Sequence, residues 1–263
     1  MTLTEQARLS GAIEDFRWAL DPVAFAEEGL DLTLDEWQKR VLGWHGKRLL
    51  LNCSRQSGKS FIAALKSLHT ALYEAESLTL LISASQEQAS VLFGVIRRMS
   101  LLLPRCLDKT EDNKLSATFA NGSRIKSLPS REGTIRGYSS VSLIVVDEAA
   151  KVEDEVYMTV RPMLAVSGGT LMLMSTPFGK RGFFFREWTE GGDDWERVKI
   201  TADDCPRISK EHLEQERRTL SEWWFRQEYY CEFCETVDQV FTHEEITQAI
   251  SAGVEEGIEA WHL

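Results

Sequence analysis

Four short runs of apolar residues punctuate this chain, and each is followed by a segment of different period. KRLLLN (47–52), LTLLISA (78–84), Val141 to Val146 and TLMLMS (170–175) have the length of buried strands. After the first run, SFIAALKSLHTALY (60–73) repeats its apolar residues at helical spacing, and a second helix is expected from about Gln86 to Leu102, ending before Pro104. LSATFANGSRIKSL (115–128) instead alternates apolar and polar positions around Asn121-Gly122, which predicts a β-hairpin. Upstream, residues to about 35 mix acids with apolar residues at helical spacing, and TLDEWQKRVL begins a capped helix. From about Glu211 the chain turns helical and aromatic, with Trp223, Trp224, Phe225, Tyr229 and Tyr230 close together. Short buried strands alternating with helices imply an α/β fold with a mostly parallel sheet covered on both faces.

With 263 residues, 43% hydrophobic and 27% charged, the chain can bury a large core without covalent staples. No run approaches the ~18 apolar residues of a membrane span, and MTLTEQARLSGAIEDF lacks the pattern of a signal peptide, so a cytoplasmic protein is expected. The five cysteines (53, 106, 205, 231 and 234) have no framework spacing and fit a reducing compartment. Cys231 and Cys234 form a single CxxC without a second pair or a histidine pair, so packed thiols are preferred to structural zinc. A net charge of −11 excludes a protein that coats nucleic acid with its whole surface. Any such contact must be local, at patches such as Arg97 and Arg98, Arg124, Lys126, Arg131 and Arg136, or Lys180, Arg181 and Arg186, each of which can equally be a solvated face.

The chemistry lies at two run ends. CSRQSGKS, Cys53 to Ser60, follows an apolar strand and opens a helix with the Gly-Lys-Ser spacing of a phosphate-binding P-loop, although Cys53 stands where the first glycine is usual. The backbone of Ser54, Arg55, Gln56, Ser57 and Gly58 would cradle ATP phosphates, Lys59 would reach the β and γ phosphates, and Ser60 would hold Mg2+. LIVVDE delivers Asp147 and Glu148 at a strand's carboxyl end, where ligands sit in open α/β sheets. Asp147 is the candidate metal partner and Glu148 the candidate base for an attacking water. Two arginines bear on a phosphoryl transition state: Arg55 within the loop, and Arg136 on the glycine-flanked stretch GTIRGYSS, which is either a finger for a neighbouring subunit or a surface loop charge.

These residues together resemble the ATPase domain of a tailed-bacteriophage large terminase subunit. The resemblance is carried by SRQSGKS, the upstream DEWQKRVL, the IRG loop, VVDEAA, RPMLAVSGG, LMSTPFGKRG and FRQEYYCEF. It implies a P-loop NTPase of the RecA/ASCE-like kind, with an N-terminal helical segment (1–35), an ATPase core (36–205) and a helical linker subdomain (206–263) leading to an absent nuclease domain. It further implies that Gln38 recognises adenine, that Ser175 and Thr176 sense the γ phosphate, and that Arg136 acts in trans. The partners it implies are double-stranded DNA, a small terminase subunit, a portal protein and further copies in a ring on the procapsid, in the host bacterial cytoplasm. DNA cleavage is not expected, because the acids of SAGVEEGIEA have no strand context.

Two other readings share parts of the pattern. A superfamily 2 helicase also pairs an upstream glutamine with a P-loop and an Asp-Glu strand, but needs a second RecA-like domain that the helical remainder after LMSTP does not supply. A nucleotide-dependent switch or scaffold would bind ATP and barely turn it over. Glu148 discriminates between the two, since a true base predicts that its replacement by Gln leaves binding intact while stopping turnover.

Overall fold

The structure, a computed structural model, describes residues 3–103, 109–112 and 114–235. In chain order the elements are α1 (Leu3–Leu20), α2 (Pro22–Ala24), α3 (Glu36–Leu42), β1 (Arg48–Cys53), α4 (Lys59–Tyr73), β2 (Leu78–Ser83), α5 (Gln86–Ser100) and β3 (Lys109–Asp112). There follow β4 (Ser116–Phe119), β5 (Arg124–Pro129), α6 (Glu132–Ile135), β6 (Leu143–Asp147), α7 (Asp154–Val160), β7 (Thr170–Ser175), α8 (Gly182–Thr189), β8 (Glu196–Ile200), α9 (Lys210–Thr219) and α10 (Glu222–Tyr230). The strands form one sheet in the order β3-β4-β5-β2-β6-β7-β1-β8. From β5 to β8 every pairing is parallel, whereas β4 runs antiparallel to both β3 and β5.

The pleat sorts the apolar runs into two cores. Successive strand residues face opposite sides, so Leu49 and Leu51, Val145, and Met172 and Met174 enter one core while Leu50, Ile144 and Val146, and Leu171 and Leu173 enter the other. The first is closed by Ile62, Leu65 and Leu68 of α4, Leu92 and Phe93 of α5, and Phe25 and Trp37 from the N-terminal segment. The second is closed by Val156, Tyr157 and Val160 of α7 and Phe183 and Phe184 of α8. Both faces are thus covered, which is why these strands carry continuous apolar sequence rather than alternation.

The expected strands at 47–52, 78–84, 141–146 and 170–175 and the helices at 60–73 and 86–102 all occur, with ends shifted by one or two residues. α3 starts later than the TLDEWQ pattern suggests, at Glu36, because Asp35 is its N-cap. The sequence reading assigned no strand to β8 and no helix to α8. In β8, ERVKI buries only Val198 and Ile200 strongly, since it is an edge strand with one neighbour. Pro104, Cys106 and everything beyond Glu235, including the second half of the expected linker segment, lie outside the described residues. Among those residues no helix is long and apolar enough to cross a membrane.

The predicted hairpin turns at Asn121-Gly122, with Gly122 at φ +81°, a conformation that disfavours any side chain. It has a second job. Asn121 Oδ1 accepts from the Ser123 N–H at 3.1 Å, and its Nδ2 donates to the carbonyls of Ala71 and Leu72 at 2.9 and 3.1 Å. Those carbonyls belong to the last turn of α4, which has no helical partners for them. The turn therefore caps the helix that begins at the P-loop. Replacing Asn121→Ala should cost about 2 kcal/mol, as expected for buried carbonyls stripped of their donors. Urea unfolding of the variant checks this.

Candidate active site

β1 and β6 do not touch; β7 lies between them and pairs in parallel with both. Register aligns Asn52 with Ser175 and Asp147 with Met174, so the three strands end level at one edge of the sheet. Beyond β1 the chain enters the loop 54–58, where Gln56 (φ +56°) and Gly58 (φ +97°) adopt left-handed backbone, and then winds into α4 at Lys59. The φ at Gly58 favours glycine, and a Cβ there would stand 2.9 Å from Gln38 Nε2 and 3.2 Å from Arg207 Nη2, so those two side-chain ends would have to shift. The first amides of α4 have no partner inside the helix and form an anion-binding end.

Opposite the loop stand the two acids. Ser60 Oγ donates to Asp147 Oδ2 at 3.3 Å, and Lys59 Nζ pairs with Glu148 Oε1 at 3.0 Å. Lys151 Nζ approaches Glu148 Oε2 at 3.3 Å from the other side. Glu148 itself is left-handed (φ +53°, ψ +41°), a strained conformation for a residue with a side chain, and its N–H donates back to Asp147 Oδ1 at 3.0 Å. The sharp turn after β6 aims the two carboxylates at different partners, Asp147 at the serine and Glu148 at the lysine.

Burial sets their protonation. It is the dominant influence on Asp147 and pushes its carboxyl up to about 6, against the pull of the Lys59 ammonium. Burial also acts to raise Glu148, but Lys59 and Lys151 together outweigh it and hold that carboxyl below its usual range. For Lys59, burial acts to lower the pKa, and the fields of Glu148 and Asp147 reverse it, leaving the ammonium firmly charged. Cys53, at the position usually held by glycine, is fully buried and its thiol is pushed up to about 12. It packs as a neutral side chain.

The remaining expected residues fall as follows. Gln38, on α3, is buried against Gly58, with its Oε1 accepting from the Asp35 N–H at 3.0 Å. Ser175 and Thr176 are buried at the end of β7, and Ser175 Oγ has no hydrogen-bond partner among the described residues. Arg55 is turned away from the acids: its Nε pairs with Glu228 Oε2 at 2.8 Å, and its N–H donates to the Glu228 carbonyl at 3.0 Å. Arg136 is exposed directly after α6 and borders a cleft with Asp154, Glu155, Met158 and Thr159 of α7.

Three site neighbours were not singled out from sequence. Arg207 donates to the Ser57 carbonyl at 2.7 Å and pairs with Asp35 at 2.8 Å. Gln227 accepts from the Gly179 N–H at 3.1 Å, and Glu228 holds Arg55. Nothing local distinguishes Arg207 in DDCPRISK. Gln227 and Glu228 do lie within FRQEYY, but only their burial, 0% and 5% exposed, marks them as more than helix surface. On the same segment Cys231 donates from its thiol to the Ile200 carbonyl and accepts from Asn52 Nδ2 at its own carbonyl. At Cys231 a structural thiol is what the fold uses.

The donor set suits a magnesium nucleotide. Ser60 and Asp147 are hard oxygen ligands on one side of the site, and Mg2+ is ordinarily held by one or two such groups plus substrate phosphates. A carboxylate that burial disfavours as an anion gains from a neighbouring cation. The unpartnered Ser175 hydroxyl lies at the end of the strand between them. The sheet order and the loop at its edge together define a P-loop NTPase fold of the α/β class.

Comparison narrows the class. Residues 50–248 match the family described as terminase large subunit, T4likevirus-type, N-terminal. The chain is 30% identical over 200 residues to the terminase large subunit of Escherichia phage T5, covering 72% of this chain and 44% of that protein. Against the terminase large subunit of Thermus phage G20c the identity is 24% over 232 residues, covering 74% and 48%. Among solved structures, the large terminase ATPase domain of Thermus phage P74-26 superposes with a TM-score of 0.69 at 22% identity, over 79% of this chain and 97% of that one. The large terminase of another thermophilic bacteriophage, in complex with ADP, gives 0.63 at 14% identity, over 76% and 54%. The chain belongs to the large terminase family, and it spans about half the length of the curated relatives it matches.

The raised Asp147 pKa has a consequence for stability. The folded carboxyl titrates near 6 and the unfolded one near 4, so the native state binds the proton more tightly and stability falls as pH rises from about 4 to about 6. Without nucleotide or Mg2+, Asp147→Asn should therefore be more stable than the parent at pH 7, by on the order of 2 kcal/mol, with the gain shrinking to nothing near pH 4. Urea melts across pH 4–8 test both sign and window.

Proposed function

We propose that this chain is the ATP-hydrolysing motor domain of a viral large terminase, driving double-stranded DNA into a procapsid. The observation that carries it is the pairing of P-loop and acids: Lys59 on Glu148 at 3.0 Å and Ser60 on Asp147 at 3.3 Å, in a chain of this family. ATP is the substrate. Ser60 and Asp147 would hold Mg2+, which when bound would neutralise charge on the phosphate oxygens. Loop amides from Ser54 to Gly58 orient the phosphates, with Gln38 facing the base. Lys59 exchanges its Glu148 partner for the β and γ phosphates, which frees Glu148 Oε1 and makes that carboxylate more basic, while Lys151 stays on Oε2, so Glu148 is available to take a proton from the attacking water. Ser175 and Thr176 adjoin the γ phosphate and relay its loss along β7. Arg55 adds positive charge within the subunit once turned from Glu228, and Arg136 supplies a guanidinium to the neighbour's site.

In this reading several copies form a ring on the procapsid with a portal protein and a small terminase subunit, in the host bacterial cytoplasm. DNA meets a local basic surface, because a chain of net charge −11 offers no other kind. Family membership favours this reading over a superfamily 2 helicase.

Glu148→Gln should bind ATP as tightly as the parent while turnover falls by about 10²- to 10⁴-fold, the usual worth of a general base. Equilibrium binding and phosphate release separate the two effects, and a parent protein that hydrolyses no ATP with Mg2+ sinks the proposal. Arg136→Ala should also bind normally and turn over slowly. Mixed with Glu148→Gln subunits it should regain activity, since one interface then has both groups intact. A mixed assembly with no recovery removes Arg136 from the trans role.

A further inference from the structure

Three pieces of the nucleotide-facing surface meet at Arg207. Its Nη2 donates to the carbonyl of Ser57 at the crest of the P-loop, 2.7 Å away, and its Nη1 pairs with the Asp35 carboxylate at 2.8 Å. Asp35 is the N-cap of α3, and its own N–H donates to Gln38 Oε1 at 3.0 Å, one half of a capping box. A Cβ on Gly58 would meet both Gln38 Nε2 and Arg207 Nη2, so the two side chains converge over the same point of the loop. Gln38 is 2% exposed, whereas the Arg207 side chain keeps 48% of its surface in solvent although both of its terminal nitrogens have protein partners.

A glutamine amide presents an acceptor beside a donor, and which faces where depends on what holds it. Here the Asp35 N–H occupies one lone pair of Oε1 and fixes that end as oxygen, leaving its second lone pair and the Nε2 protons. Adenine offers an N6 donor beside the N7 acceptor, and guanine offers acceptors at both O6 and N7. An amide locked in this orientation suits adenine and sets oxygen against oxygen with guanine. An amide free to rotate can turn its NH2 to the guanine edge. The lock is only as firm as the placement of Asp35, and the guanidinium fork ties the Asp35 carboxylate to the Ser57 carbonyl of the loop.

We propose that Arg207 is a positioning residue which, by bridging Ser57 and Asp35, fixes the Gln38 amide and so sets the preference for adenine over guanine nucleotides. This rests on the reading of the P-loop site as a nucleotide site with Gln38 at the base. Bracing the loop alone would alter affinity for both nucleotides equally, because their phosphates are the same. The preference itself is therefore the diagnostic quantity.

The test is equilibrium titration of the parent chain, Arg207→Ala, Arg207→Lys and Asp35→Asn with methylanthraniloyl-labelled ATP and GTP in the presence of Mg2+. Asp35→Asn keeps a good N-cap while removing the ion pair, and Arg207→Lys keeps the charge but cannot span both partners. The parent should prefer ATP. Arg207→Ala and Asp35→Asn should weaken ATP about tenfold with little change for GTP, the size of one charge-assisted hydrogen bond, and Arg207→Lys should fall between. Equal weakening of both nucleotides, or an unchanged preference, in variants that still melt cooperatively overturns the proposal. Should Arg207→Ala fail to fold, Asp35→Asn and Arg207→Lys decide by the same ratio. A parent that binds both nucleotides alike overturns this inference alone, and one that binds neither overturns the nucleotide site as well.

Discussion

Everything at this site depends on β7 lying between β1 and β6 and pairing in parallel with both. Parallel strands in register end at the same edge, so the loop after Cys53, the acids at 147 and 148 and the hydroxyl of Ser175 are delivered to one place from segments far apart in sequence. The intervening strand also sets the spacing. It separates β1 from β6 by two strand widths, about 10 Å, which leaves room for Lys59 and Ser60 to reach across from the start of α4.

That edge is electrostatically unfinished because of its burial. One ammonium, Lys59, stands before two carboxylates, Asp147 buried and Glu148 partly buried, and Lys151 supports only Glu148. Asp147 is left with a serine hydroxyl and a backbone amide, which is too little to hold it fully ionised, hence its raised pKa. The asymmetry separates the two carboxylates. Glu148 is held ionised and left-handed beside two lysines, while Asp147, with fewer partners, keeps its proton to higher pH.

The C-terminal helices belong to this machinery through contacts that begin at the loop. Glu228 of α10 fastens Arg55, Gln227 fastens the backbone after Ser175-Thr176, and Arg207 just before α9 fastens Ser57. The backbone at both strand ends is thus joined directly to α10 by single hydrogen bonds. At the other end of α4, Asn121 ties the hairpin to the helix terminus, so the helix that begins under the phosphates is held at both ends.

The four buried strands, the helices after β1 and β2, the hairpin at Asn121-Gly122, the loop with Lys59 and Ser60 and the acid pair were all legible in the sequence. Each is a local pattern: apolar runs need burial on two faces, Asn-Gly fits a tight turn, and the Gly-Lys-Ser spacing follows from how a helix begins. What the sequence did not determine is whatever needs two distant segments at once. ERVKI has too few buried positions to announce itself as a strand until β1 lies beside it. That Arg55 is held by Glu228 was not legible before Glu228 had a position, and Arg207 carries no motif because its partners, Ser57 and Asp35, are remote in the chain. Local spacing encodes which groups can hold a phosphate and a metal; only the packed sheet decides which carboxylate is charged, which arginine is occupied and which way the Gln38 amide faces, because those depend on burial and on partners brought together by the fold.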